Sequence, residues 1–203
     1  MAKIAVLGWG SLIWCPRELD TTTKWRPGPA LPVEFARKSK DGRVTLVLVG
    51  EHTVHTFWAL SAKDEIEGSC ENLRQREGKP RPGDIHYTTG QGLRTCRDEE
   101  PSPESRDVSG TVSEWLSTMP DLDAVVWTGL PPRGFTQLDQ PGLANEVINY
   151  LSDLSCGPAR RAREYVQFAP ATIRTPVREA IEDAPLQWLP KELPRGLFED
   201  ATG

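Results

Sequence analysis

Residues 8–14 read GWGSLIW and follow directly on KIAVL, residues 3–7. A short apolar run bounded by glycine predicts a buried β-strand, here feeding a loop with two glycines one residue apart. Three motifs compete for such a loop. The dinucleotide fingerprint G-x-G-x-x-G needs a third glycine where Ile13 stands, and no acidic residue follows at the proper distance in PGPALPVEF. The nucleophile elbow G-x-S-x-G needs glycines two residues either side of Ser11, where Trp9 and Ile13 stand. A phosphate-binding G-K-[ST] does not occur. Two readings remain: a tight turn ending a strand, or a loop whose backbone N–H groups turn inward to bind an anion. Trp9 and Trp14 either wall an apolar pocket or pack the core.

Outward from the loop, LPVEFAR (31–37) and RVTLVLV (43–49) flank the turn signal SKDG and predict a strand pair. HTVHTFWAL (52–60) alternates as a third strand, DIHY (84–87) and DAVVWTGL (123–130) predict two more. The stretch SAKDEIEGSCENLRQREG has a serine cap, early acids, late arginines and a closing glycine, which predict a helix over 63–77. VSGTVSEWLSTM, PGLANEVINYLSDL, PARRAREYVQ and PVREAIED predict further helices. RDEEPSPESRD (97–107) reads as a charged, proline-broken loop, a lid or a tether. Early strands followed by later helices indicate an α+β protein. At 203 residues the chain is expected to form one domain over 1–190, with a flexible tail over 191–203.

The bulk chemistry excludes several classes. The net charge is −5 and 24 basic residues are scattered among 29 acidic ones, so no nucleic-acid partner is expected. No apolar run approaches the ~18–20 residues of a membrane span, and MAKIAVLGWG turns glycine-rich before a signal-peptide core develops. No membrane association is expected. Cys15, Cys70, Cys96 and Cys156 lie far apart without C-x-x-C pairing, which suits reduced thiols in the cytoplasm. His52 and His55 face opposite sides of a strand and His86 stands alone, so no metal site is expected.

On the helix wheel, Ile66, Cys70, Leu73 and Glu77 fall within roughly 60° of one another at 100° per residue. Glu65, Glu67 and Glu71 lie roughly 100–140° away. Of four glutamates, Glu77 alone continues the apolar stripe. It occupies the last turn, with Gly78 in the C′ position, and is expected to pair with Arg74 or Arg81 if it is only a helix-end acid.

Three pieces together resemble the γ-glutamylcyclotransferase superfamily, above all its ChaC-type members. VLGWGSLIW resembles the family loop Gly-Tyr-Gly-Ser-Leu-Ile-Trp, LPVEFARKSKDGRVTLVLV resembles its strand pair with an aromatic residue before arginine and serine, and NLRQREG resembles the helix ending in the catalytic glutamate. The resemblance spans roughly residues 3–90 and departs from the family at Trp9, where tyrosine is usual. It implies a γ-glutamylcyclotransferase-like mixed sheet or small barrel with flanking helices. It implies Glu77 as catalytic base, with Gly8, Trp9, Gly10, Ser11, Leu12 and Arg37 as substrate-binding residues. The implied reaction cyclises a small γ-glutamyl amine or peptide to 5-oxoproline and releases the amine, with no cofactor or metal. Two alternatives are a non-catalytic module that binds a small molecule on the same fold, and related chemistry on another amide.

Overall fold

The computed structural model describes residues 1–97 and 99–186. The segment expected as a tail, 191–203, lies outside them. In chain order the elements are β1 (Ile4–Gly8), β2 (Arg26–Leu31), β3 (Val33–Lys38), β4 (Val44–Leu48), β5 (Val54–Leu60), α1 (Ile66–Arg76), β6 (Ile85–Thr88), β7 (Leu93–Thr95), α2 (Pro103–Ser117), β8 (Ala124–Thr128), α3 (Gly142–Ser152), α4 (Cys156–Phe168) and α5 (Pro176–Asp183), with a 3₁₀ turn at Pro82–Asp84. The protein is α+β. Its residues group into two compact units, Met1–Leu31 with His55–Pro131 and Pro32–Val54 with Pro132–Gly203.

The first unit is built on a six-stranded sheet in the order β2-β5-β1-β8-β6-β7. β1 runs parallel to β8 and antiparallel to β5, and β6 runs antiparallel to β8. The sheet is mixed. All five residues of β1 and of β8 are buried, which explains why both read as unbroken apolar runs instead of alternating ones. Alternate residues Ile4 and Val6 of β1 and Ala124 and Val126 of β8 pack with Cys70 and Leu73 of α1 and with Ile85, Leu12 and Leu19. Period-2 and period-3.6 patterns thus meet in one core.

Four expectations need correction. The sheet is open, with β2 and β7 at its edges, so the small-barrel alternative is not formed. β2 was not foreseen because RPGPAL carries two prolines and a glycine, a composition that an edge strand tolerates since its outer row of donors has no partner strand. The helix expected over 63–77 starts at Ile66, with Glu65 and not a serine at the N-cap. Ser61 instead accepts from the Lys63 N–H at 3.0 Å and pairs with Ser69 at 2.9 Å. Finally, half of the 97–107 loop is helix. Ser102 caps α2 by accepting from the Ser105 N–H at 3.3 Å, and Pro103 occupies its first turn, where a proline's missing N–H costs nothing.

His86, fully buried on β6, joins that helix start to the sheet. Its ring stacks on Trp127 at 5.9 Å. The Ser102 N–H donates to Nε2 at 3.2 Å, so the proton is assigned to Nδ1, which lies 3.2 Å from Ser105 Oγ. Gly129 permits this approach, since a Cβ there would lie 2.1 Å from Ser105 Oγ. Burial pushes the His86 pKa from 6.5 down to about 4, against the pull of the Asp84 charge. Because the folded state holds this proton less tightly than the unfolded chain, stability is full above pH ~6.5 and falls as pH drops toward 4, by about 3 kcal/mol in all. Thermal unfolding of the wild type and His86→Gln between pH 7.5 and 4.5 checks this. The wild type's advantage should shrink steadily with acid, and a constant difference would count against it.

In the second unit β3 and β4 form an antiparallel pair whose register shifts between Phe35 and Arg37. The bulge lets the consecutive residues Phe35 and Ala36 both be buried. α5 coincides with the expected PVREAIED helix. Its first turn meets Glu34 of β3, which is 5% exposed. The Glu34 carboxylate accepts from the Thr175 hydroxyl, from the Val177 N–H at 3.1 Å and from the Phe35 N–H at 2.7 Å. Burial raises its pKa above the ordinary value, opposed by those hydrogen bonds.

Candidate active site

The site is at the carboxyl end of β1, where the glycine loop meets the end of α1. α1 stops where its sequence says it should. Gly78 adopts φ +78° and Lys79 φ +61°. The Lys79 N–H reaches the Arg74 carbonyl at 2.9 Å and the Gly78 N–H reaches that of Gln75 at 3.1 Å, the paired bonds of a Schellman cap. The cap places Glu77 just after Arg76, the last residue of α1, where the chain turns away.

The helix buries Ser69, Cys70, Leu73 and Arg76. Arg76 is thus the charged residue that completes the apolar stripe, with its side chain 5% exposed against 17% for Glu77. The arginine was missed because a cation in a last turn is ordinarily read as a solvated complement to the helix dipole. Its spacing of three from Leu73 was the available signal.

The Arg76 guanidinium holds the site together. Nη1 donates to Glu77 Oε1 at 2.8 Å, while Nη2 donates to Ser11 Oγ at 3.0 Å and to the Cys15 carbonyl at 2.7 Å. Glu77 therefore pairs with Arg76, and neither Arg74 nor Arg81 is its partner: those bind Glu71 and Asp84. Glu77 Oε2 accepts from no described residue. A carboxylate oxygen with a vacant lone pair and partial exposure is available to take a proton.

Residues 9–15 wind into a single turn closed by Ile13 N–H to the Gly10 carbonyl at 3.0 Å and Cys15 N–H to the Ser11 carbonyl at 2.9 Å. Among the described residues, the N–H groups of Gly10, Ser11 and Leu12 have no protein acceptor. Leu12 anchors the turn in the α1 core. Gly8 is required by packing, since a Cβ there would lie 2.9 Å from the Trp25 ring. Trp9 is 5% exposed and counts among the buried hydrophobic residues.

The first unit therefore brings together Gly8, Trp9, Gly10, Ser11, Leu12 and Glu77. Arg37 belongs to the second unit, on β3, where it pairs with Thr45 of β4. The remaining candidates fall away on geometry. Ser11 accepts from Arg76 and has no base beside it. Ser105 is fully buried beside a histidine whose proton faces it, so the pair is no activated nucleophile. Cys70 is packed against Cys96, and that contact together with burial pushes its thiol far above the ordinary range. His52 and His55 bond to the carbonyls of Arg174 and Gly28. Among the described residues no group of three or more His, Cys, Asp or Glu gathers as a metal site. None of their helices is long and apolar enough to cross a membrane.

No protein-family model matches the chain, and no curated protein matches it. Among solved structures it is similar to a crystal structure of a yeast γ-glutamyl cyclotransferase specific to glutathione, with 16% identity, 89% of this chain and 96% of that chain covered, and a TM-score of 0.49. A selenomethionine-labelled crystal of such a yeast enzyme aligns over 91% of this chain and 89% of that one, at 16% identity and a TM-score of 0.44.

Proposed function

We propose that this protein is a γ-glutamylcyclotransferase-like enzyme that converts a γ-glutamyl amine or peptide to 5-oxoproline and the free amine. The observation that carries the proposal is one guanidinium binding both the Glu77 carboxylate and Ser11 of the glycine loop. A proton acceptor and a row of unpaired backbone donors are thereby held side by side.

The substrate's α-amino group attacks its own γ-carbonyl. A C–N bond forms, the bond to the leaving nitrogen breaks, and no water is consumed. Because the attack is intramolecular, the protein has mainly to hold the substrate folded with its reacting atoms in contact. Near pH 7 an α-amine of pKa about 7.7–8.0 is mostly protonated, which costs roughly 1 kcal/mol to reverse. Glu77 Oε2 removes that proton and returns it to the departing nitrogen. The N–H groups of Gly10, Ser11 and Leu12 hold the substrate carboxylate or the oxyanion that develops on the γ-carbonyl. Four free cysteines suit the reducing cytoplasm in which we place the enzyme.

The test is a panel of γ-glutamyl amines and peptides incubated with the protein and analysed by mass. Cyclisation yields 5-oxoproline, whereas hydrolysis yields glutamate, heavier by one water. Glutamate as the product would assign a different reaction to the site. Tight binding with no turnover across the panel would make it a binding module.

A further inference from the structure

Resting on the function proposed above, we infer that Arg76 is a positioning residue that couples the catalytic base to the substrate-binding loop. Three observations converge on it. The side chain is 5% exposed, so its charge is held out of water, where an unneeded cation would be selected against on desolvation grounds. Its Nη1 and Nη2 atoms point to different parts of the site, one to Glu77 and the other to Ser11 Oγ and the Cys15 carbonyl. Those two parts lie far apart in the chain: Ser11 and Cys15 belong to the loop after β1, and Glu77 follows the last residue of α1. A planar guanidinium fixes the angle between its arms, so the base and the row of N–H donors keep one relative orientation.

Lysine cannot reproduce this. Its ammonium is a point charge on a flexible stem and has no fixed fork. Arg76→Lys should keep the fold, judged by circular dichroism, and still lower kcat by on the order of a hundredfold through displacement of the base. The hydrogen-bonded amides of Ile13 and Cys15 should exchange hydrogen about tenfold faster in the variant once the guanidinium arm to Ser11 and Cys15 is gone.

A double-mutant comparison separates coupling from simple support. Ser11→Ala in the wild-type background should raise KM by roughly three- to tenfold, and in the Arg76→Lys background by less than about 1.5-fold, since the arm it removes is already lost. Equal effects of Ser11→Ala in both backgrounds would overturn the inference. So would unchanged exchange of the Ile13 and Cys15 amides in Arg76→Lys, a readout independent of any substrate. The two proposals fail differently: full activity in Glu77→Gln defeats the catalytic reading, whereas full activity in Arg76→Lys beside a dead Glu77→Gln defeats this one alone.

Discussion

Glu77→Gln is expected to lower the rate of 5-oxoproline formation by about a hundred- to ten-thousandfold, the range typical for loss of a general base, while KM and the thermal midpoint stay close to wild type. The substitution is nearly isosteric. The amide oxygen of glutamine can still accept from Arg76 Nη1, a bond that is 2.8 Å long in the wild type, so the guanidinium keeps its orientation toward Ser11. What glutamine lacks is an oxygen able to take up a proton from the substrate ammonium. The substrate still binds the N–H row of the loop, so the loss should appear in kcat. Burst and steady-state rates of amine release from the best substrate of the panel would measure it. Turnover equal to wild type would remove Glu77 from the mechanism.

The second large effect is on stability. Arg178 of α5 is 1% exposed, and its Nη1 donates to the carbonyls of Ala169 at 3.2 Å, Pro170 at 2.7 Å and Ile173 at 3.2 Å. Nε reaches Glu182 Oε1 at 3.0 Å. No helix or strand covers the stretch between α4 and α5; the Ile173 N–H gives the Pro170 carbonyl a second donor at 2.9 Å, and the guanidinium serves the other two. Arg178→Ala removes four partners at once: it leaves the buried Ala169 and Ile173 carbonyls without a donor, while Pro170 keeps the Ile173 N–H and Glu182 keeps Arg174. A loss of about 2–4 kcal/mol is expected, as for buried carbonyls left without donors. Urea unfolding should show it as a lower midpoint, and Arg178→Lys should recover only part, since an ammonium cannot direct donors to all four acceptors. A loss under about 1 kcal/mol would mean that water satisfies those carbonyls instead.

Much of the first unit was legible because its signals are local. β1 and β8 are apolar runs of five buried residues, and the end of α1 is written in Glu77-Gly78, where only the glycine comfortably takes φ +78°. The place of Glu77 at the end of α1 followed from the glycine stop, whereas the buried stripe on which spacing put it is completed by Arg76. The start of α2 was equally local and was misread. Ser102-Pro103-Glu104 is a cap, a first-turn proline and a first-turn acid, but amid so many charges and prolines it resembled a broken loop. β2 and β7 were hidden for another reason: one carries two prolines and the other has three residues, so pairing with a neighbour and not composition makes them strands.

The loop, the strand before it and the helix stop can be read from the sequence, because each depends on backbone preferences and periodicity within a dozen residues. Tertiary structure alone decided that Arg76 clasps Ser11, 65 residues away, that Trp9 is buried, and that His86 is held neutral under α2. A side chain's charge and size are properties of one position. Its partner and its exposure depend on which distant segments the sheet brings beside it, and no local pattern carries that information.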